Sequence, residues 1–513
     1  MIQQQKNYLE STKLEQKTRD QEVYKWDDYL KKFVKVRIKI TITPENSIIY
    51  WYDGVKLRQQ LIFDDFRDLE ILNNFEQIQY LQWKREYGKS NNKYCKCIAI
   101  WYGVILKFIY GYYKDGFKQG QWMMPFNNCS SQSYVCESGE FCNNLKCGRW
   151  NYIYKNKIIG GGSYDKKALK IGKWIELSDG FYDGSQVTYK GEYNNGKKVG
   201  LWEIWYKNVK GDQKNKFIGG GLYNEGSKQG KWVEIWEGFY DDSCVINSGI
   251  YRNNIKVGKW DIMTWIKQIG GGSYDEEGQG IKLGNWVEIS DGFNRSSQII
   301  YCGEYLNGRK VGRWDILYQQ EFSNDKSKIG GGLYNEGGNG NKQGKWVEIW
   351  DKFSVNSEVT YIGVYKNGKK VGNWEIWNCD EGYKITKIGG GLYNESGDES
   401  KQGNWVEISE GFGYSAKTTY HGRYKEGQKF GRWDIKYNQK QIGGGSYDEE
   451  GQGMKLGNWI EISDGFRSSS QIIYEGRYKD GKKIGIWVEM KRECYSLSEK
   501  FKKIKEIEYD YDY

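Results

Sequence analysis

Two ladders of opposite charge are the residues of this chain best placed to do chemistry. Lys198, Lys256, Lys310, Lys370, Lys429 and Lys483 hold equivalent places in one set of turns, and Lys170, Lys228, Lys282, Lys342, Lys401 and Lys455 in a second set. Stacked in register, each set becomes a row of ammonium groups. Such a row suits lipid headgroups or acidic protein tails, at about 1 kcal/mol per Lys near an anionic membrane. Glu176, Glu234, Glu288, Glu348, Glu407 and Glu461 each fall two residues after a Trp and form a competing acidic ladder. Cross-strand Lys–Glu pairing would neutralise much of the rows. Lysines at turns also serve simply to keep sheet edges from aggregating. Both readings of the lysines stay open.

The remaining reactive residue types fit ordinary repeat positions. Cys95, Cys97, Cys129, Cys136, Cys142 and Cys147 lie within 53 residues, and four thiolates can bind zinc. Their spacings make no pair of CxxC knuckles, and Cys147 takes the slot of Val199 and Val311, so no metal or other cofactor is expected. His421, the sole histidine, occupies a variable position filled elsewhere by Lys190, Ile362 and Glu475. A Ser-His-Asp triad would rest wholly on it, and no nucleophile motif accompanies it. The Gly-Gly-Gly runs at 160–162, 219–221, 270–272, 330–332, 389–391 and 443–445 lack the Gly-Lys-Ser/Thr ending of a phosphate loop. Six copies point instead to a bend or to close backbone packing. Asp179-Gly180-Phe181 and its copy Asp291-Gly292-Phe293 read as a tight turn. The expectation is a protein that is not an enzyme.

What positions these residues is a repeat. Fourteen times the chain reads Gly-x-aromatic, a polar turn, then Lys-x-Gly-x-Trp, ending at Trp122, Trp150, Trp174, Trp202, Trp232, Trp260, Trp286, Trp314, Trp346, Trp374, Trp405, Trp433, Trp459 and Trp487. Two unit types alternate: A, as in IGGGLYNEGSKQGKW at 218–232, and B, as in YCGEYLNGRKVGRW at 301–314. From each A Trp to its B Trp is 28 residues in all seven pairs, whereas the gap from B to the next A runs from 24 to 32. Insertions map to exposed loops, so Lys207–Phe217, Gln319–Lys328 and Asn378–Lys387 read as variable loops.

In B the run Ile299-x-Tyr301-x-Gly303-x-Tyr305 has period 2, Asn307-Gly308 follows, and Trp314-x-Ile316-x-Tyr318 alternates again. That is strand, turn, strand. Gly303, like Gly191 and Gly363, sits among aromatics on one face, where the missing side chain leaves room for a neighbouring ring, that of the next Trp. Single hairpins are too small to be stable, so they stack. The expectation is an all-β fold: an elongated single-layer or solenoid-like array of about fourteen antiparallel hairpins, roughly 130 Å long at about 4.8 Å per strand.

Tyr301-x-Gly303-Glu304-Tyr305-x-Asn307-Gly308-x-x-x-Gly312 resembles the MORN repeat, and the ending Gly312-x-Trp314 is similar to the MORN-variant repeat of bacterial antitoxin-like proteins. The resemblance spans about 108–490. It implies an antiparallel β array used for protein contacts, sometimes for membrane phospholipids, and no activity. The A units depart from the frame, with Ile-Gly-Gly-Gly in place of Tyr-x-Gly.

The ends differ. Residues 1–33 are charged and Gln-rich, a helix-forming composition, and 34–107 reads as a β and degenerate-repeat cap that opens on Val34-x-Val36-x-Ile38-x-Ile40-x-Ile42. Lys93-Tyr94-Cys95-Lys96-Cys97 looks like a decayed Lys-x-Gly-x-Trp, with Cys in the Gly and Trp slots. Over 491–513, Leu497, Phe501, Ile504 and Ile507 fall at helical spacing, which predicts a helical cap over the last strand edge, followed by an acidic tail.

Net charge is +10, from 77 basic against 67 acidic residues, and the mean hydropathy of −0.83 suits a thin structure better than one thick core. The mild basic bias does not call for nucleic acid. With no apolar leader or membrane-length stretch, the reading is cytoplasmic with reduced thiols. The function expected is a scaffold for other proteins, cytoskeletal or cortical. The alternative is peripheral binding to anionic phospholipid through the lysine rows. A glycan-binding aromatic surface ranks third, because most rings should be buried.

Overall fold

The computed structural model describes residues 17–27, 32–44, 47–53, 55–61, 71–87, 94–127, 129–208, 214–265, 267–319, 325–380, 384–492 and 500–509. Most of them are in antiparallel strands joined in chain order. The chain divides into two bodies, Met1–Lys267 and Gln268–Tyr513.

The first body opens with a four-stranded meander: β1 (Lys17–Asp27), β2 (Lys32–Thr43), β3 (Ser47–Tyr52) and β4 (Val55–Leu61). The alternation from Val34 to Ile42 makes β2, whose Ile38 and Ile40 are buried with Val23, Ile48 and Tyr50. The helix expected within 1–33 is not found in the described part of that stretch, which forms β1. Its Glu22–Val23–Tyr24 segment pairs residue for residue with Arg37–Val36–Lys35, and a partner strand supplies hydrogen bonds that helix propensity alone cannot outweigh. Residues 1–16 lie outside the described residues. A short helix, α1 (Phe75–Tyr80), starts at Asn74, whose side chain accepts from the Gln77 amide. Gln77 Nε2 in turn donates to the carbonyls of Phe126 at 2.8 Å and Asn127 at 3.1 Å, which ties the meander to the array. Trp26 adds an edge-to-face contact with Tyr182, 4.8 Å between centroids.

The array then fills the rest of the first body, from the strand Leu81–Tyr87 to Ile255–Met263, and the second body from Gln268–Tyr274 to Lys502–Tyr509. The A units, despite their divergent sequence, also fold as hairpins: Lys326–Tyr334 pairs with Lys342–Ile349 across a bulge. Their triple glycine packs backbone closely. At Gly331, with φ +121°, a Cβ would lie 2.1 Å from the Trp314 carbonyl, so only glycine fits. Each fixed A-to-B connection is a stacked loop. Phe293 N bonds Ser290 O, Asn294 bridges Ser297, and Ser297 Oγ reaches forward to the Phe353 carbonyl of the next such loop at 2.7 Å. Phe353 then packs edge-on against Tyr318 at 5.4 Å. Asp179-Gly180-Phe181 makes the same turn, with Phe181 on Tyr154. The centres of the variable loops lie outside the described residues.

The helical cap predicted over 491–513 is corrected. Lys502–Tyr509 is a strand paired with Lys482–Arg492, because the open edge offers a row of backbone partners. Leu497 and residues 510–513 lie outside the described residues.

Candidate functional site

Every glycine of the Gly-x-aromatic pair carries a tryptophan ring. A Cβ built on Gly303 would stand 2.3 Å from Trp314, on Gly191 2.3 Å from Trp202, and on Gly363 2.2 Å from Trp374. The ring belongs to the next Trp in sequence, folded back over its own hairpin. A bulge between Cys302 and Glu304 skips Gly303, and the Trp314 indole N–H donates to the Glu304 carbonyl at 3.2 Å. Trp174, Trp202, Trp232, Trp260, Trp286, Trp346, Trp405, Trp433 and Trp459 donate in the same way to the carbonyl one residue beyond their glycine. Trp374 and Trp487 have no indole partner among the described residues. Neighbouring rings meet edge to face. In the second body the ladder runs Tyr274, Trp286, Tyr305, Trp314, Tyr334, Trp346 and onward to Trp487 and Tyr509, at 5.1–6.2 Å between centroids. These tryptophans are at most 5% exposed, although one sheet supplies them all.

The charged ladders explain how a single layer keeps its rings dry. Lys310 Nζ sits 3.8 Å above the Trp314 ring and Lys282 Nζ 4.4 Å above Trp286. Lys198, Lys256, Lys370, Lys429 and Lys483 sit 4.0–4.1 Å above their own tryptophans. The aliphatic stems cover apolar surface while the ammonium meets the ring quadrupole. In six of the seven hairpin pairs, all but Lys118/Lys146, one glutamate binds both the A lysine and the following B lysine. Glu288 takes Lys282 on one oxygen and Lys310 on the other at 2.9 Å, and accepts the Tyr305 hydroxyl at 2.9 Å. Glu176, Glu234, Glu348, Glu407 and Glu461 hold Lys170/Lys198, Lys228/Lys256, Lys342/Lys370, Lys401/Lys429 and Lys455/Lys483 in the same arrangement. Burial pushes each of these carboxyls upward, but the two lysines prevail and hold it below the ordinary range. Burial and the adjacent carboxylate push the Tyr305 hydroxyl far above its usual pKa.

Of the two readings of the turn lysines, the geometry matches Lys–Glu pairing: a lattice turned onto the rings, with two lysines to one glutamate. A carboxylate saturated by three donors is not poised to move a proton near neutral pH. Successive lattices recur every four strands, roughly 19 Å apart at about 4.8 Å per strand. Between two of them in the first body lies a slot of about 310 Å³ lined by Asp179, Tyr189, Lys198, Tyr223 and Lys228. The tyrosines of the lattice (Tyr193, Tyr251, Tyr305, Tyr365, Tyr424 and Tyr478) escaped sequence reasoning as polar groups. Each stands 17 residues after its glutamate, a spacing that the fixed connection preserves.

The cysteines are corrected at one pair. Cys142 and Cys147 form a disulfide across the hairpin turn, with Cα atoms 6.2 Å apart, where reduced thiols and an ordinary apolar slot were expected. The two-residue turn Asn143-Asn144 brings the two side chains together. Cys97 stands across from Gly111 and is buried, which is the register of a tryptophan slot. Among the described residues no three His, Cys, Asp or Glu side chains form a metal-ligating group. His421 is half-buried, and its Nε2 lies 2.9 Å from Thr419 Oγ1. Among the described residues no helix is long and apolar enough to cross a membrane.

No known protein-family model matches this chain, and no curated protein matches it.

Proposed function

We propose that the chain is a non-catalytic repeat scaffold that binds other proteins, with the cytoskeleton or cell cortex as its setting. The observation that supports this reading is the saturation of the lattice. At six of the seven hairpin pairs the ammonium, carboxylate and phenol groups are spent on one another and on the rings, in the same geometry. What distinguishes one repeat from the next is the loop after each B unit, and a partner that reads sequence must read those loops. The resemblance of 301–312 to the MORN repeat points the same way. The test is capture of partners by the full chain and by a variant in which 207–217 and 319–328 exchange sequences. Partners lost or traded on exchange support the scaffold reading, and an unchanged partner set overturns it.

Anionic membrane binding is the second reading, favoured by the positive charge left over when two lysines share one glutamate. Vesicles rich in phosphatidylserine, floated at low and high salt, separate the two. Failure to float at low salt counts against lipid binding.

A further inference from the structure

Two sets of tyrosines recur along the array. Those of the lattice bond a glutamate, as Tyr305 bonds Glu288. Those of the slot do not: the hydroxyls of Tyr189 and Tyr223 have no hydrogen-bond partner among the described residues. The second body repeats this three times, at Tyr301 and Tyr334, Tyr361 and Tyr393, and Tyr420 and Tyr447. All eight residues are half-buried. Polar groups so placed are ordinarily paired. Pairs of phenols without protein partners, at the same place in four repeats, call for a ligand.

The surroundings decide which kind. At about 310 Å³ the slot stands at the small end of ligand pockets, roughly 300–1,000 Å³. Lys198 Nζ lies 5.8 Å from the Tyr189 ring and 5.5 Å from the Tyr223 ring. Burial and then neighbouring carboxylates push both phenols up, Tyr223 to about 12, so each remains a donor at neutral pH. Three carboxylates, Glu176, Asp179 and Glu234, line the slot with two ammoniums, Lys198 and Lys228. Glu176 and Glu234 are each already held by two lysines and a tyrosine. A bare anion would meet the carboxylates and a bare cation the ammoniums, so a neutral ligand fits best. Leu177, Ile204 and Ile235 make the rest of the wall apolar. A neutral molecule with apolar C–H patches and many oxygen acceptors matches this lining.

We propose that the slot binds a sugar ring of a neutral glycan, its C–H groups against Ile204, Ile235 and the tyrosine rings and its oxygens accepting from the Tyr189 and Tyr223 hydroxyls. The tryptophans are too buried to meet a sugar, and the slot tyrosines are not. This inference does not rest on the scaffold reading, whose variable loops contribute nothing to the lining.

The test is calorimetry of the full chain with neutral hexasaccharides of glucose, mannose, galactose and N-acetylglucosamine. One variant carries Tyr189→Phe, Tyr301→Phe, Tyr361→Phe and Tyr420→Phe, and a second carries Tyr223→Phe, Tyr334→Phe, Tyr393→Phe and Tyr447→Phe. Both keep every ring and remove hydroxyls that bond no described residue, so their amide exchange should match wild type. Expected is binding of at least one hexasaccharide, weakened roughly 10-fold in either variant. Tyr414→Phe, at an exposed tyrosine outside the slots, should leave it unchanged. Binding of none of the four overturns the proposal, and so does equal binding by wild type and both variants. Inorganic pyrophosphate that binds wild type and is lost in the variants makes the slot an anion site and equally overturns it.

Discussion

Gly303→Ala is the substitution on which strand propensity and packing disagree in sign. A glycine in a strand weakens it, and replacing it with alanine where φ allows should stabilise by about 0.4–1 kcal/mol. The packing says otherwise. The new Cβ would meet the Trp314 ring at 2.3 Å, and ordinary contact needs about 3.5 Å, so the ring must retreat by more than about 1 Å. Retreat strains the indole hydrogen bond to Glu304, worth about 0.5–1.5 kcal/mol. It lifts the ring away from Lys310, a contact worth about 0.5–2 kcal/mol. It also disturbs the edge contacts with Tyr305 and Tyr334, at about 0.5–1.5 kcal/mol each. Partial loss of these terms gives a net destabilisation of roughly 2–4 kcal/mol. Because arrays unfold in segments, the readout is residue-level amide exchange over 298–319 rather than one melting temperature. Gly312→Ala is the companion. A Cβ there meets nothing within 4 Å, but φ is +59°, so only the backbone term of about 1 kcal/mol remains. Slower exchange in Gly303→Ala, or an effect no larger than in Gly312→Ala, would refute ring nesting as the reason for the glycine.

Glu288→Gln keeps the shape but leaves Lys282 and Lys310 without a counter-ion above their rings. It should cost about 1–3 kcal/mol in local exchange across 282–319, against no more than about 0.5 kcal/mol for Glu304→Gln on the exposed side. Acid should loosen the array, since six lattice glutamates titrate lower folded than in the unfolded chain, where the value is about 4.3. Their contribution is fully present above about pH 4.3 and fades as pH falls through the folded values, so denaturant midpoints between pH 6 and 2 should drop, and a rise below pH 4 would contradict the lattice. Thiol titration of the unfolded chain should find two more thiols after reductant, those of Cys142 and Cys147, and an unchanged count would disprove their disulfide.

Much of the fold was legible because its rules are short-range. Period-2 aromatics, Asn-Gly turns and the invariant 28-residue step each act within one hairpin pair, so the sequence by itself determines strands, turns and the need for a gap at Gly191, Gly303 and Gly363. The same locality placed Cys97 in a tryptophan slot. Composition misled at both ends. The charged stretches at 17–27 and 502–509 favour helix in isolation, yet a waiting strand edge draws them into the sheet. Only the tertiary structure decided where the lysines point. Equal spacing along the chain is compatible with rows facing solvent or rows facing rings, and the choice depends on which strands lie two apart in space. Stacking places Glu288 between Lys282 and Lys310 above an apolar floor, and there an ion pair and a ring hold an ammonium better than open solvent does.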